Sequence, residues 1–205
     1  MMHQLSLART LGGVGALLML LVWIPPLGWV LSLIGAVMVL LAIKYISDAL
    51  QDRSIFTNMV IAIILEVAGL VVGVAVLVET VLSTIGLGIV TGYYSRGIPS
   101  VSLPPGVLTG NLPGLIAGVV IIWVTILVSA LFVRRCYESV SKRLGVGMFG
   151  TVGLLYLIGA ALTIILVGFV LLLLALILNM IAFFSMTDQP IPEPVPQVSI
   201  PPATM

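Results

Sequence analysis

Two stretches of the chain, Leu11 to Ile43 and Phe149 to Phe184, contain no Asp, Glu, Lys or Arg. At ~1.5 Å per residue each would form a helix of ~50 Å, whereas a bilayer's hydrocarbon core is ~30 Å thick and takes about 20 apolar residues. Each is too long for one crossing even with tilt, and of a length for two. A soluble fold offers no alternative home for them. Hydrophobic residues make up 61% of the chain and charged residues 7%, against about 25% charged in an ordinary soluble domain. Folded in water, such a chain would expose large adhesive patches. The fold class is an all-α integral membrane protein.

Breaks in the apolar runs set the expected threading. Pro25-Pro26 and Gly28 divide the first run, because proline removes a backbone donor and clashes with the preceding turn. Trp23 and Trp29 flank that turn, where an interfacial aromatic belt belongs. The last run is divided at Gly168. Six transmembrane helices result, at about 5–24, 27–46, 55–78, 112–133, 149–166 and 168–186, in one domain over residues 1–186. Arg9 ahead of an apolar stretch has the look of a signal peptide, but no small-residue cleavage site follows, so the segment is read as a retained first span. Residues 80–111, only partly apolar, form an extracytoplasmic segment. Residues 187–205 carry six of the twelve prolines and form a cytoplasmic tail that is extended or disordered.

With the N-terminus and the C-terminus both cytoplasmic, Arg9, Lys44, Arg53, Arg134, Arg135, Lys142 and Arg143 all face inward and only Arg96 faces out. That asymmetry is the positive-inside bias. Residues 10–47 also align loosely with 151–186, placing Gly28-Trp29-Val30-Leu31 on Gly168-Phe169-Val170-Leu171. The alignment suggests a parallel hairpin repeat of spans 1–2 and 5–6, unlike the inverted repeats of many transporters.

Few residues can carry chemistry. Glu66 sits near the middle of span three, where an ionised carboxylate is costly unless paired or wetted. Its available partners are Ser32, Thr125, Ser129, Thr163 and Asn179. Two readings stand side by side: a hydrogen bond across a helix interface, or a proton- or cation-binding site. Gly69 and Gly73, and Gly114 and Gly118, have the spacing of four that lets helix backbones approach, so spans three and four are expected to pack through them. In "KYISDALQDRSIF", Lys44, Asp48 and Asp52 would share a face on a continuing helix, and Asp52 or Ser54 would cap span three. The stretch reads first as a cytoplasmic loop, and otherwise as the inner mouth of a polar path. Lone Cys136 excludes an internal disulfide and reads as a small residue at a helix end. No metalloprotease, phosphate-binding or serine-hydrolase motif occurs, and the one histidine is His3. No cofactor is expected. A net charge of +1 gives no case for nucleic acid, which needs a basic patch.

Residues 6–21 (SLARTLGGVGALLMLL), 28–48 (GWVLSLIGAVMVLLAIKYISD), 52–56 (DRSIF) and 153–166 (GLLYLIGAALTIIL) resemble the uncharacterised multi-pass membrane proteins grouped as domain of unknown function 996. The resemblance covers roughly residues 5–186, and KYISD…DRSIF is its most specific part. It implies an archaeal-type helical protein of the plasma membrane and transfers no catalytic residue. Three readings of function follow. The first is a structural or accessory subunit that packs or oligomerises through glycine-rich faces, alone or in a larger complex. The second is a small proton or cation channel or transporter using Glu66. The third is a lipid-headgroup enzyme beside Arg134, Arg135, Lys142 and Arg143, basic residues suited to anionic headgroups.

Overall fold

The structure, a computed structural model, describes residues 2–24, 27–96 and 107–186. The proline-rich tail and the middle of the expected extracytoplasmic segment lie outside the described residues. Six helices follow one another: α1 (Met2–Leu20), α2 (Gly28–Ala49), α3 (Arg53–Arg96), α4 (Val107–Leu144), α5 (Gly147–Leu162) and α6 (Val167–Phe184). Among the described residues there is no strand. Among the described residues five helices are long and apolar enough to cross a membrane, α2, α3 over Arg53–Ser83, α4 over Asn111–Leu144, α5 extended to Ile165, and α6. The first helix, with His3, Gln4, Arg9 and Thr10 in its opening turns, falls short of that standard.

Each helix packs on its neighbours in sequence, and α6 returns to α1, so three hairpins close into a ring. The core sits at one end of that ring. Leu5 of α1, Ile43 and Ile46 of α2, Ile55 of α3, Cys136 and Val140 of α4, Phe149 and Val152 of α5 and Phe183 of α6 are almost wholly buried and form one cluster. These are the helix ends that also carry Lys44, Arg53, Arg134, Arg135, Lys142 and Arg143. Away from this charged end the helices turn apolar side chains outward: Trp29, Leu33 and Val37 on α2, Val67, Val71 and Val78 on α3, Ile116 and Val120 on α4, and Phe169 and Val170 on α6. Only 17% of the most apolar window of α3 is buried. A helix that is apolar all round yet unburied by protein is suited to lipid.

The hairpin tips depart from the expected boundaries in instructive ways. After α1 a 3-10 turn at Leu21–Trp23 precedes Gly28, whose amide donates to the Ile24 carbonyl at 2.6 Å. The last apolar run breaks at Leu166, which takes a left-handed φ of 64° after a 3-10 turn at Thr163–Ile165. Gly168 is not the break. It lies inside the first turn of α6, where a Cβ would collide with the Gly159 carbonyl, so its role is close helix approach. Residues 80–96 and 107–111 are helical and continue α3 and α4. At ~1.5 Å per residue α3 reaches ~66 Å, far beyond a ~30 Å hydrocarbon core.

Close approach recurs between α3 and α4. A Cβ on Gly69 would collide with Thr125, one on Gly73 with Ile122, one on Gly114 would lie 2.5 Å from Thr80 Oγ1, and one on Gly118 2.6 Å from Leu77 Cγ. All four glycines are occupied within this hairpin.

Candidate functional site

Glu66 lies half-buried on α3, one turn beyond Ala62. Facing them on α4 is Ser129, 1% exposed, whose hydroxyl donates to the Ala62 carbonyl at 3.0 Å. The same hydroxyl is within hydrogen-bonding reach of the Glu66 carboxyl. Tyr137, on α4, is 4% exposed, and Tyr156, on α5, is partly buried against the core cluster. Asn179 of α6 is 5% exposed. Its Oδ1 is buried without a hydrogen-bond partner among the described residues, although buried polar atoms are almost always paired.

The Tyr137 ring stacks on Phe149 at 5.9 Å, and Phe149 meets Phe183 edge-on at 5.2 Å. Higher in the bundle the Trp123 indole donates to the Ala161 carbonyl at 3.3 Å, joining α4 to α5.

Of the polar residues singled out in the sequence, Ser129 and Asn179 are buried and Glu66 is half-buried. Thr125 lies one turn further out, its hydroxyl returned to the Ile121 carbonyl at 2.7 Å and its side chain filling the space beside Gly69. Thr163 likewise donates to its own helix, to Gly159 at 2.8 Å. Ser32 is half-buried near the start of α2, and no described contact brings it to Glu66. Tyr137 and Tyr156 are inward-packed polar side chains that sequence reasoning missed. The available signal was a phenol inside an apolar run, because a buried tyrosine needs a partner for its hydroxyl.

The charged end is organised separately. Helix α2 stops at Ala49, so Asp52 does not share a helical face with Lys44 and Asp48. Asp52 instead accepts from the Ser54 amide at 3.0 Å and the Ser54 hydroxyl at 2.6 Å, capping α3, and its other oxygen is 3.8 Å from Arg143. Lys142 pairs with Glu138 at 2.8 Å. Arg135 lies 5.7 Å from the Phe132 ring centre, and Lys44, Asp48, Arg53 and Arg134 are exposed. Cys136 is fully buried and faces away from any reagent in water. Among the described residues no three His, Cys, Asp or Glu side chains gather as a metal site.

Comparison with known proteins brings no activity. Over 185 residues the chain is 30% identical to an uncharacterised protein of Methanocaldococcus jannaschii, covering 90% of this chain and 94% of that one. No solved structure matches significantly. Residues 31–177, which include Glu66, Ser129, Tyr137 and Tyr156, match the family described as proteins of unknown function, DUF996. The chain belongs to that family.

Proposed function

We propose that the chain crosses the cell membrane six times, with both termini and the charged end of the ring in the cytoplasm, and serves there as a structural or accessory subunit. The placement of the core carries this reading. Phe149, Phe183, Tyr137, Ile43, Ile46 and Ile55 fill the ring at the charged end, leaving a packed plug where an open pore would need a wet polar lining. Outward of the plug the spans offer apolar side chains to lipid or to other membrane helices. The inward assignment rests on the seven Lys and Arg residues of that end against Arg96. An oligomer would have to use the outer apolar faces, because Gly69, Gly73, Gly114 and Gly118 are already covered. Crosslinking in native membranes followed by mass analysis of the extracted assembly tests the role. A defined assembly larger than one chain is expected, and a lone monomer would overturn it.

A second reading, a path for protons or cations through Glu66, draws support from the Ser129 hydroxyl that bonds Ala62 beside it. Proton and cation flux in reconstituted vesicles, with Glu66 intact and as Glu66→Gln, tests this reading. Flux lost in the variant would support it, and no flux in either would reject it.

A further inference from the structure

Tight turns at the charged end lay α5 back along α4. Gln51 and Gly145 both adopt left-handed φ, 53° and 68°, and lead into α3 at Arg53 and into α5 at Gly147. Glycines then set how closely α5 approaches α4. A Cβ on Gly153 would lie 3.2 Å from both Arg134 Cα and Tyr137 Cβ, and one on Gly150 would lie 3.3 Å from Ser141 Oγ. Beside this seam, Val124 and Leu131 on α4 and Leu154 and Ile158 on α5 are exposed. Their spacings of seven and four put each pair on one face of its helix. The outward flanks of the seam are therefore apolar, as a surface against lipid requires.

One turn beyond Leu131 the face of α4 changes from apolar to basic. Arg134 and Arg135 are both exposed, and among the described residues neither forms an ion pair. Arg135 stays close to the apolar surface, 5.7 Å from the Phe132 ring centre, where a cation is attracted to the aromatic face. Glu138, the one carboxylate on α4, is held by Lys142 at 2.8 Å. Arg143 approaches Asp52 at 3.8 Å. The other cations of this end have acidic neighbours in the chain: Lys44 has Asp48 one helical turn on, and Arg53 follows Asp52. Arg134 and Arg135 thus form an adjacent pair without a carboxylate of its own. Each guanidinium offers five N–H donors in a planar fork that matches phosphate oxygens.

We propose that Arg134 and Arg135 hold the phosphate of an anionic membrane lipid whose acyl chain lies along the α4–α5 seam, against Leu131, Leu154 and Ile158. Charge and apolar surface select this occupant together. A soluble phosphate would satisfy the arginines and leave the apolar flanks bare. A zwitterionic lipid would bring a cation of its own to a place that already holds two. Basic residues beside the membrane attract anionic lipid in general; here the two arginines meet the apolar flanks at one point of the surface. The site rests on the membrane placement proposed above, in either leaflet, and not on the accessory role.

Photolabelling of the full chain in phosphatidylcholine vesicles containing a photoactivatable phosphatidylglycerol tests the site. Peptide mapping should find phosphatidylglycerol adducts concentrated in residues 124–131 and 151–158, whereas a photoactivatable phosphatidylcholine should label the outward faces of all the spans. In the double variant Arg134→Gln with Arg135→Gln, the seam adducts should fall on the order of 10-fold. The double variant Lys44→Gln with Arg53→Gln removes the same charge from the same end and should keep most of them. The two lipids labelling alike in the unaltered chain would overturn the proposal without recourse to any variant. An equal loss in both double variants would also overturn it, leaving only a general attraction of the charged end for anionic lipid. Displacement of the label by soluble glycerol phosphate would assign the arginines to a soluble ligand and overturn the lipid. Failure of the membrane placement itself would show differently, as labelling of no helix by either lipid, and would remove both.

Discussion

Replacing Gly15 with alanine tests whether α1 and α2 meet backbone to backbone. The added Cβ would lie 2.7 Å from the Gly35 carbonyl oxygen, 2.9 Å from Met38 Cβ and 3.0 Å from the Val39 nitrogen. Two of those atoms are backbone and cannot rotate away, so restoring ordinary contact moves the helices apart by roughly 0.7 Å. Dispersion contacts along a packed seam lose a quarter to a half of their depth over a gap of about that size. Overpacking of this kind costs about 1–3 kcal/mol, and the better helix propensity of alanine returns up to ~1 kcal/mol. Gly147→Ala is the control, because nothing lies within 4 Å of its new Cβ and only the propensity gain remains. Reversible unfolding in mixed detergent micelles should place Gly15→Ala about 2 kcal/mol below Gly147→Ala. If the two variants are equally stable, or the order is reversed, α1 and α2 do not approach as described and the account of the hairpin fails.

Phe183→Ala removes a fully buried ring that meets Phe149 edge-on and should cost about 3–5 kcal/mol in the same unfolding measurement. The two left-handed turns predict opposite signs. Gln51→Gly should change stability by less than ~1 kcal/mol and in the favourable direction, after the lost bond from its Nε2 to the Asp48 carbonyl, while Gly145→Ala should destabilise by about 1 kcal/mol or more. Cys136, with no exposed surface, should resist a maleimide in the folded protein and react on denaturation, as followed by mass spectrometry.

The helical membrane class was legible because the apolar runs leave few alternatives, whereas helix ends depend on contacts that a run does not display. Leu166 carries no turn signature, yet it takes the left-handed conformation at the tip of the last hairpin. Gly168 was read as a breaker because glycine often is one, but here it serves the approach to Gly159. The Ser, Thr and Gly content of residues 80–96 masks a helix that continues α3. At the site, Glu66, Ser129 and Asn179 stood out as rare polar groups in apolar surroundings. Tyr137 and Tyr156 did not, because phenols in membrane proteins read first as interfacial. Their inward placement follows from the packing of α4 on α5 and α5 on α6, a tertiary fact absent from local spacing. Asp52 shows the same limit. Its capping of α3 is local and readable, while its approach to Arg143 joins two distant turns.

Sidedness tests the account most directly. Single cysteines would be placed in a Cys136→Ala background at His3, Met148 and Ser100, and intact right-side-out vesicles exposed to a membrane-impermeant maleimide. Reaction at Ser100→Cys from outside, with His3→Cys and Met148→Cys reacting only after permeabilisation, is the predicted result. Labelling of His3→Cys or Met148→Cys in intact vesicles, or of all three from one side, would contradict the account.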